Sequence, residues 1–388
     1  MYKLLTLNNI SVKGLEVFER ENYEISSETQ HPDAILLRSF ALHDYQFQDS
    51  VKAVGRAGAG VNNIPIAKLS EKGIPVFNTP GANANAVAEL VLASILMASR
   101  NIAQGWEFAR NLSGDDKEIS KAVESGKKNF VGSELPGKTL GVIGLGAIGV
   151  KVANHAHALG MKVIGYDPVL TVDRAWELSS NVQKALSLDD LFSKADYITF
   201  HVPLNDKTKD MLDENRLKIM KKNVVVLNFA RGGIINDQAV CNGIKAGKVY
   251  AYFTDFPNNL LKNHERVIAL PHLGASTKEA EENCAFMIAE QIKDFLENGN
   301  IHNSVNFPEL SVARAGFRLA IANSNVPNMV AQISTCLAKH ALNIKDMSNK
   351  SKGDLAYTIV DVDQPIPLEA AEEIQKIEGV LSVRTFTE

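Results

Sequence analysis

The sequence predicts an α/β protein in which a doubly wound parallel sheet is inserted into a smaller α/β domain and followed by a separate module. Three observations predict this class. Short apolar runs alternate with helical segments through residues 1–100. The alternation resumes behind a glycine-rich turn within residues 139–149. Residues 313–388 have the order βαββαβ, which is typical of a ferredoxin-like module.

Composition narrows the class of protein. The chain has 388 residues, a formal charge of −4, 45% hydrophobic and 22% charged residues, all ordinary for a soluble globular protein. This balance argues against disorder and against a broad basic surface for nucleic acids. The apolar stretch 90–99 is too short for a bilayer, and the first ten residues lack a signal-peptide pattern. We expect a cytoplasmic protein with neither nucleic-acid nor membrane partners.

The first domain is predicted from three compact apolar runs at residues 34–39, 51–58 and 74–79. Each run ends at Ser, Gly or Asn-Thr-Pro, as strands that enter loops do. From Asn85 onward apolar residues recur at helical spacing. We predict a domain over residues 1–98 that resembles the flavodoxin-like architecture and is completed by a helix near 280–300.

The second domain, residues 99–279, begins with a polar stretch at 115–138 that we interpret as a surface connection. Six strands are then predicted, separated by helical segments, which gives a Rossmann-type sheet. Their ranges are 140–144, 162–166, 196–201, 223–228, 248–253 and 266–270. A helix from about Thr277 to Asn298 follows, and residues 301–312 have the composition of a linker.

The sequence Gly144-Leu-Gly146-Ala-Ile-Gly149 lies between a predicted strand and a predicted helix. Gly144 permits a tight turn, Gly146 lets a pyrophosphate approach the backbone, and Gly149 lets helix and strand pack closely. The helix N-terminus supplies amide donors to the phosphates. Asp167, 18 residues beyond Gly149, can accept from ribose hydroxyls and would repel a 2′-phosphate. We therefore predict NAD rather than NADP.

Two further residues are candidates for catalysis, and both follow predicted strands at the edge where open α/β sheets bind ligands. The guanidinium of Arg231 can hold a carboxylate through two parallel hydrogen bonds. The imidazole of His272 can take a hydroxyl proton near neutral pH. The competing interpretations are a structural ion pair for Arg231 and a satisfied loop histidine for His272.

No metal site is predicted. The cysteines Cys241, Cys284 and Cys336 are few and widely spaced, which indicates neither a disulfide framework nor a zinc site. Cys336 has the setting of a core residue, and His340 that of a solvated one.

Several ordered motifs make the chain resemble the D-2-hydroxyacid dehydrogenase family, in the form that carries a C-terminal ACT regulatory domain. The resemblance covers essentially the whole chain. Beside the glycine motif it rests on Arg38-Ser39, Arg56-Ala-Gly-Ala-Gly60-Val, Asn78-Thr79-Pro80, Ala88-Glu89-Leu90, Phe229-Ala-Arg231-Gly-Gly and Pro271-His272-Leu-Gly-Ala-Ser-Thr.

The resemblance implies an activity and a set of site residues. The implied reaction is the NAD-linked oxidation of 3-phosphoglycerate to 3-phosphohydroxypyruvate, with Arg231 on the substrate carboxylate and His272 as acid and base. The substrate phosphate is expected on Arg38, Ser39, Asn83 and one of Lys127 or Lys128. NAD is expected to contact Thr79, Gly144, Gly146, Ala147, Ile148, Gly149, Asp167, His201, Val202, Pro203, Phe229, Ala230, Arg231, Asp255, Gly274 and Ala275.

The chain departs from the family pattern beside the catalytic histidine. Members usually carry a Glu five residues after the Asp of an Asp-Val-Phe motif, and that Glu hydrogen-bonds to the histidine. Here the segment reads Asp255-Phe-Pro-Asn-Asn-Leu260, without a carboxylate at that spacing, and Glu265 is the nearest candidate downstream. We expect His272 to be a weaker base at a given pH than in relatives with the Glu.

The C-terminal module departs as well. The family's effector turn is commonly His-x-Asn-x-Pro-Gly, whereas this chain has Asn323-Ser-Asn325-Val-Pro327-Asn328. Asn325 and Asn343 remain candidate contacts for an L-serine effector, and the alternative is a module that only dimerises. The resemblance also implies a homodimer or homotetramer.

Two other functions stay open at the level of sequence. The first is another D-2-hydroxyacid dehydrogenase, of the hydroxypyruvate or glyoxylate type, which needs no cationic pocket for a phosphate. The second is a non-catalytic, dinucleotide-sensing corepressor-like protein. The missing Glu favours the sensor, while the pairing of Arg231 with His272 argues against it.

Overall fold

The strands form three sheets in the computed structural model, which describes residues 1–8 and 10–387. In chain order they are β1 (Tyr2–Leu7), β2 (Tyr23–Ser26), β3 (Ala34–Leu37), β4 (Ala53–Arg56), β5 (Val76–Phe77), β6 (Thr139–Ile143), β7 (Lys162–Tyr166), β8 (Gln183–Lys184), β9 (Tyr197–Phe200), β10 (Val224–Asn228), β11 (Val249–Thr254), β12 (Val267–Ala269), β13 (Phe317–Ser324), β14 (Ile344–Lys352), β15 (Leu355–Val362) and β16 (Val380–Phe386).

Helices fill the intervals between most strands. They are α1 (Val12–Leu15), α2 (Ile66–Glu71), α3 (Ala84–Arg100), α4 (Ile102–Arg110), α5 (Asp116–Gly126), α6 (Ala147–Ala158), α7 (Val172–Glu177), α8 (Leu188–Lys194), α9 (Glu214–Ile219), α10 (Asp237–Lys245), α11 (Lys278–Asn298), α12 (Met329–Lys339) and α13 (Leu368–Gln375), with a 3₁₀ helix at Lys127–Phe130.

The chain divides into two units. The central unit is Ala84–Thr277, and the terminal unit joins Met1–Asn83 to Lys278–Glu388. The terminal unit contains a parallel sheet of order β2-β1-β3-β4-β5, the strand order of flavodoxin-like folds. Strands β3 to β5 confirm the three predicted runs, whereas β1 and β2 were not predicted.

The central unit contains a seven-stranded parallel sheet of order β12-β11-β10-β9-β6-β7-β8. The six strands predicted from sequence are present, with ends that differ by at most one residue. The chain leaves β6 in one direction for β7 and returns to the other side at β9. Open α/β sheets bind ligands at such a switch point, outside the carboxyl ends of the strands.

The polar stretch 115–138 is mostly exposed, as predicted for a surface connection, but its first part forms the helix α5, which was not predicted. Asp115 accepts from the amides of Lys117 and Glu118, and the Glu118 carboxylate accepts from the Asp115 amide, which completes a capping box. Of the helix residues only Gly126 is buried, so the sequence lacks the apolar periodicity that would have revealed it.

No single helix in the described ranges is long and apolar enough to cross a bilayer; α3 and α4, bent by 67°, reach that length and composition only together.

The C-terminal module follows the predicted order β13-α12-β14-β15-α13-β16, and its sheet is antiparallel with the order β14-β15-β13-β16. It belongs to the same compact unit as the first parallel sheet. Its apolar core lies between the sheet and the helices and includes Ile321, Ile333, Leu337, Val360 and Ile374.

The C-terminal end of α11 is held by side chains from this module. Arg384 donates to the carbonyls of Phe295 and Leu296 at 3.0 and 2.9 Å. Arg318 donates to the Asn298 carbonyl at 3.0 Å, and the Tyr357 hydroxyl donates to that of Gly299 at 2.9 Å. The last carbonyls of a helix have no partner within the helix, and cations are favoured at this end. These contacts join α11 to the module.

Arg318 is fully buried, and its charge is balanced by Asp361, which accepts from Nε at 2.6 Å and from Nη2 at 2.8 Å. Removal of one partner leaves a buried charge without compensation. We expect Asp361→Ala to lower the free energy of unfolding by about 3–5 kcal/mol, measured by urea denaturation. The control is Lys13→Ala, since the exposed Lys13–Glu282 pair should contribute about 0–1 kcal/mol. Equal losses in the two variants would contradict this expectation.

Candidate active site at the carboxyl edge of the central sheet

The three glycines between β6 and α6 have different local requirements. Gly144 has φ +89°, and a Cβ there would lie 2.6 Å from the His201 carbonyl oxygen. A Cβ on Gly149 would lie 1.9 Å from the Gly144 carbonyl oxygen. A Cβ on Gly146 would meet nothing within 4 Å. Two of the glycines are therefore required by the fold, and the third leaves open space at the start of the helix.

That open space fits a dinucleotide phosphate. Gly146 caps α6 without a side-chain hydrogen bond, so the amides of the first turn remain available to an anion. Asp167, which follows β7, accepts from the Leu145 amide at 2.8 Å and from the Val169 amide at 2.9 Å. The carboxylate is thereby fixed beside the glycine loop, where the sequence predicted the ribose contact.

The loop after β9 lies against the same turn. The His201 amide donates to the Ile143 carbonyl at 2.7 Å, and the Val202 side chain approaches Gly144. Pro203 continues this loop, and its carbonyl accepts from the Thr208 hydroxyl at 2.5 Å. His201, Val202 and Pro203, which are among the residues predicted to contact NAD, are thus adjacent to the glycine loop at the switch point.

Arg231 is exposed in the loop after β10, and the side chain of Asn228 fixes this loop. Asn228 is buried; its Nδ2 donates to the Arg231 carbonyl at 2.9 Å and its Oδ1 accepts from the Ala230 amide at 3.2 Å. Phe229 is buried beneath the loop. The Arg231 guanidinium donates to the Ala230 carbonyl at 2.7 Å and forms no ion pair within residues 1–8 and 10–387. These contacts argue against the structural ion-pair interpretation.

His272 is exposed in the loop after β12 and has φ +56°, an uncommon conformation for a residue other than glycine. The buried carboxylate of Asp255 stabilises the loop by accepting from the Leu273 amide at 3.0 Å and the Gly274 amide at 2.7 Å. A Cβ on Gly274 would lie 3.0 Å from Asp255 Oδ2, so a larger residue there would displace this contact. Ala275 continues the loop and is half-buried.

Phe256, which was not among the predicted site residues, contacts the loops that carry the two catalytic candidates. Its ring meets the His272 ring edge-on, with 5.3 Å between centroids. A Cβ on Gly232, the residue after Arg231, would lie 3.5 Å from Phe256 Cβ. His272 and Gly232, the residue after Arg231, therefore border the same aromatic side chain. Only its place two residues after β11 could have indicated this role.

No carboxylate within the described ranges accepts a hydrogen bond from the His272 ring, and Glu265 provides none. Asp255 interacts with His272 electrostatically, and this attraction, like the two amide hydrogen bonds, lowers the pKa of Asp255. Burial outweighs these effects, so the pKa of Asp255 is raised above its ordinary value. The expectation that His272 is a weaker base remains a prediction.

Three residues predicted for the substrate, and one predicted for NAD, belong to the terminal unit. The Arg38 guanidinium pairs with Glu281 at 2.7 Å, and both side chains are partly exposed. The Ser39 amide donates to Asn8 Oδ1 at 3.2 Å, and Asn83 is half-buried at the end of the first segment. Thr79 is fully buried beside Cys284, whose thiol pKa is raised by burial.

The remaining predicted residues lie elsewhere. Lys127 and Lys128 are exposed on the 3₁₀ helix of the central unit, and Lys127 pairs with Glu124. In the C-terminal module Asn325 Nδ2 donates to the Gly353 carbonyl at 3.0 Å, and the Asn343 amide donates to an Asp363 carboxylate oxygen at 3.0 Å. The Asn325 side chain therefore already stabilises a turn of its own module.

Comparison with known sequences shows which protein family the central unit resembles. Residues 92–274 match the family described as D-isomer specific 2-hydroxyacid dehydrogenase, NAD binding domain. The chain is thus similar to this family over most of its central unit. Its cofactor is NAD, as the sequence predicted.

Two of the curated relatives that the chain matches are named D-3-phosphoglycerate dehydrogenase. The chain is 40% identical over 274 residues to D-3-phosphoglycerate dehydrogenase of Methanocaldococcus jannaschii, covering 69% of this chain and 50% of the relative. It is 36% identical over 329 residues to D-3-phosphoglycerate dehydrogenase of Bacillus subtilis, covering 80% of this chain and 60% of the relative. The chain thus spans about half the length of the curated relatives it matches.

Solved structures agree on the fold. The NAD⁺-bound 3-phosphoglycerate dehydrogenase of Entamoeba histolytica superposes with a TM-score of 0.62 and 26% identity, over 80% of this chain and 99% of that one. This similarity supports the Rossmann-type parallel sheet predicted from the sequence.

Alanine substitutions at Gly146 and Gly149 distinguish an effect on cofactor binding from an effect on protein stability. Gly149→Ala places a methyl group on the Gly144 carbonyl and should destabilise the protein by about 1–3 kcal/mol. Gly146→Ala should leave the thermal midpoint unchanged but weaken NADH binding, because the methyl group occupies space at the helix N-terminus. Fluorescence titration with NADH and thermal melts check both outcomes. Unchanged NADH affinity in Gly146→Ala would exclude a phosphate site there.

The burial of His201 leads us to expect that the stability of the protein depends on pH. Burial lowers its pKa from 6.5 to about 3, and its Nδ1 has no partner in the described residues. Because the folded-state pKa is depressed, the unfolded chain takes up the proton first as the pH falls below 6.5. The free energy of unfolding should therefore fall by about 1.4 kcal/mol per pH unit between pH 6 and 4 from this residue alone.

Urea denaturation at several pH values should show that the free energy of unfolding of His201→Asn falls less steeply with pH, by that amount, over the same range. The control is His157→Asn, since His157 has a surface partner in Asn181 and should leave the slope unchanged. An unchanged slope in His201→Asn would show that the buried ring is protonated in the folded protein.

Proposed function

We propose that the chain catalyses the NAD-dependent oxidation of 3-phospho-D-glycerate to 3-phosphohydroxypyruvate, the first step of L-serine biosynthesis. The observation that carries the proposal is that His272 and Gly232, the residue after Arg231, border Phe256 at the carboxyl edge of the NAD-binding sheet. The name shared by the curated relatives supports the choice of substrate.

Arg231 binds and orients the substrate. Its exposed guanidinium offers parallel donors to the carboxylate and to the oxygen on C2. As the C2 hydroxyl is oxidised, the positive charge stabilises the developing carbonyl oxygen. The buried Asn228 side chain fixes the backbone from which the guanidinium projects. Arg231 therefore contributes both to substrate binding and to polarisation of the bond between C2 and its oxygen.

His272 is the general base. Its neutral imidazole takes the proton from the C2 hydroxyl, and the imidazolium returns it in the reverse reaction. NAD⁺, when bound, accepts the hydride that leaves C2. The left-handed backbone at His272 and the Asp255 carboxylate behind it fix the direction of the ring. The loop thus reduces the entropy lost on reaching the reactive geometry.

Arg38 is the principal phosphate ligand in this proposal. Its present partner, Glu281, is a monoanion on a partly exposed surface, so the pair is weak. A phosphate dianion competes for the same guanidinium with more charge and three acceptor oxygens. Ser39 and Asn83 supply neutral donors, and one of Lys127 or Lys128 supplies a second cation.

We also propose the domain division indicated by the sequence. The substrate-binding domain is residues 1–98 completed by 280–300, the NAD-binding domain is 99–279, residues 301–312 are the linker, and 313–388 form an ACT regulatory domain. The βαββαβ order and antiparallel sheet support the last assignment. L-Serine as effector, a homodimer or homotetramer, and a cytoplasmic location complete the proposal. The free, buried cysteines are consistent with a reducing compartment.

Substitution of the two proposed catalytic residues tests the mechanism. His272→Asn keeps a residue type that tolerates positive φ, and it should lower kcat about 10²- to 10⁴-fold by removing the base. Arg231→Ala should lower kcat/KM about 10- to 100-fold or more through the lost charged hydrogen bonds. Neither variant should shift the thermal midpoint. Arg174→Ala, which removes a surface pair with Glu177, is the control for activity.

The substrate assay separates the candidate functions. NADH formation is followed with 3-phosphoglycerate, glycerate and lactate side by side, and we expect turnover of the phosphorylated acid to exceed the others. Arg38→Gln should reduce this preference with little effect on glycerate. Better turnover of unphosphorylated acids would favour the hydroxypyruvate or glyoxylate type. Binding of NADH without turnover of any acid would favour the sensor.

A further inference from the structure

A thiol, an imidazole and a carboxylate meet on the C-terminal module, whereas the residues proposed for catalysis belong to the central unit. Cys336 lies in α12, His340 directly follows that helix, and Glu373 lies in α13. One donor atom from each of the three lies within 4.8 Å of the other two. We propose that Cys336, His340 and Glu373 form a binding site for Zn²⁺, with water as the fourth ligand.

The two helices bring these side chains together. Cys336 and His340 are four residues apart and therefore share one helix face. His340 Nε2 lies 3.0 Å from Glu373 Oε2. The Cys336 sulfur lies 3.9 Å from the Ala370 carbonyl, one helical turn before Glu373. The site is thus formed by the contact between α12 and α13, which no local sequence spacing reveals.

The donor set suits zinc rather than magnesium or calcium. Thiolate and imidazole are ligands of soft and borderline metals, whereas magnesium and calcium prefer oxygen. Zinc–ligand bonds of about 2.0–2.3 Å in tetrahedral geometry separate ligand atoms by roughly 3.3–3.8 Å. The present separations lie below 4.8 Å, so side-chain adjustments of about 1 Å complete the geometry.

A fourth position is open beside the three ligands. A cavity of about 300 Å³ borders Cys336 and Glu373, with Gln332 and Thr335 on its wall. It provides room for a water ligand and a path for the ion. Cys336 is 6% exposed, and the His340 side chain is 21% exposed rather than solvated as the sequence suggested. The site is shielded on one side and accessible on the other.

Lys339 is the competing cation. Its Nζ lies 2.6 Å from Glu373 Oε1, while His340 contacts the other oxygen, Oε2. The Lys339 side chain is 65% exposed, so it can move into solvent at little cost when the metal neutralises the carboxylate. Zinc would then replace an exposed ion pair by bonds that join α12 to α13. Because metal binds the folded module, it should raise the stability of that module.

Cobalt titration of the untagged 388-residue chain tests the proposal. Co²⁺ should produce a thiolate-to-cobalt charge-transfer band in the near ultraviolet and the visible bands of tetrahedral cobalt, and Zn²⁺ should displace both. Zn²⁺ should also raise the thermal midpoint. Cys336→Ser should abolish the charge-transfer band, and His340→Ala and Glu373→Gln should weaken cobalt binding.

The controls separate this site from adventitious binding. Cys241→Ser removes another buried thiol and should leave the cobalt spectrum unchanged. His302→Ala removes a histidine that contacts two carboxylates, Asp294 and Glu309, without a thiol, and it should also leave the spectrum unchanged. Thermal melts of metal-free variants verify folding. Absence of a charge-transfer band in the wild type, or its persistence in Cys336→Ser, would overturn the proposal.

Discussion

At the carboxyl edge of the central sheet, buried polar side chains form the hydrogen bonds that the loop backbone cannot form with a neighbouring strand. Loops that leave parallel strands cannot pair their amides and carbonyls with a neighbouring strand, and unpaired buried groups are costly. Asp255 meets this requirement for the His272 loop, and Asn228 meets it for the Arg231 loop. Because each of these side chains is itself almost fully buried, the exposed side chains of Arg231 and His272 project from a fixed base.

Much of this site is predictable from sequence, because its strongest signals are local. Gly144 and Gly149 must be glycine for reasons of backbone angle and close approach, and such requirements act within a few residues. Arg231 and His272 follow strands whose ends were located to within a few residues. The order of strands and helices in the C-terminal module was likewise predicted, since its apolar alternation is regular.

The rest could not be predicted because it depends on contacts between distant segments. Phe256 gains its role only when the loops after β10 and β12 are brought to the same edge. Cys336 and Glu373 are separated by more than thirty residues and meet only through helix packing. In α5 the difficulty is different, since a helix with almost no buried face lacks the periodicity on which the prediction depends.

The hydrogen bonds from Arg384 and Tyr357 to carbonyls at the end of α11 limit where the chain can be cut. The terminal carbonyls of α11 receive their donors from strands that come some sixty to ninety residues later in the chain. Cutting the chain before β13 would leave those oxygens without partners and would uncover Phe295, on which the Arg384 guanidinium rests at 4.5 Å. The segment from β13 onward is therefore part of the compact unit that contains the first sheet, and its removal should lower the solubility of the remaining fragment.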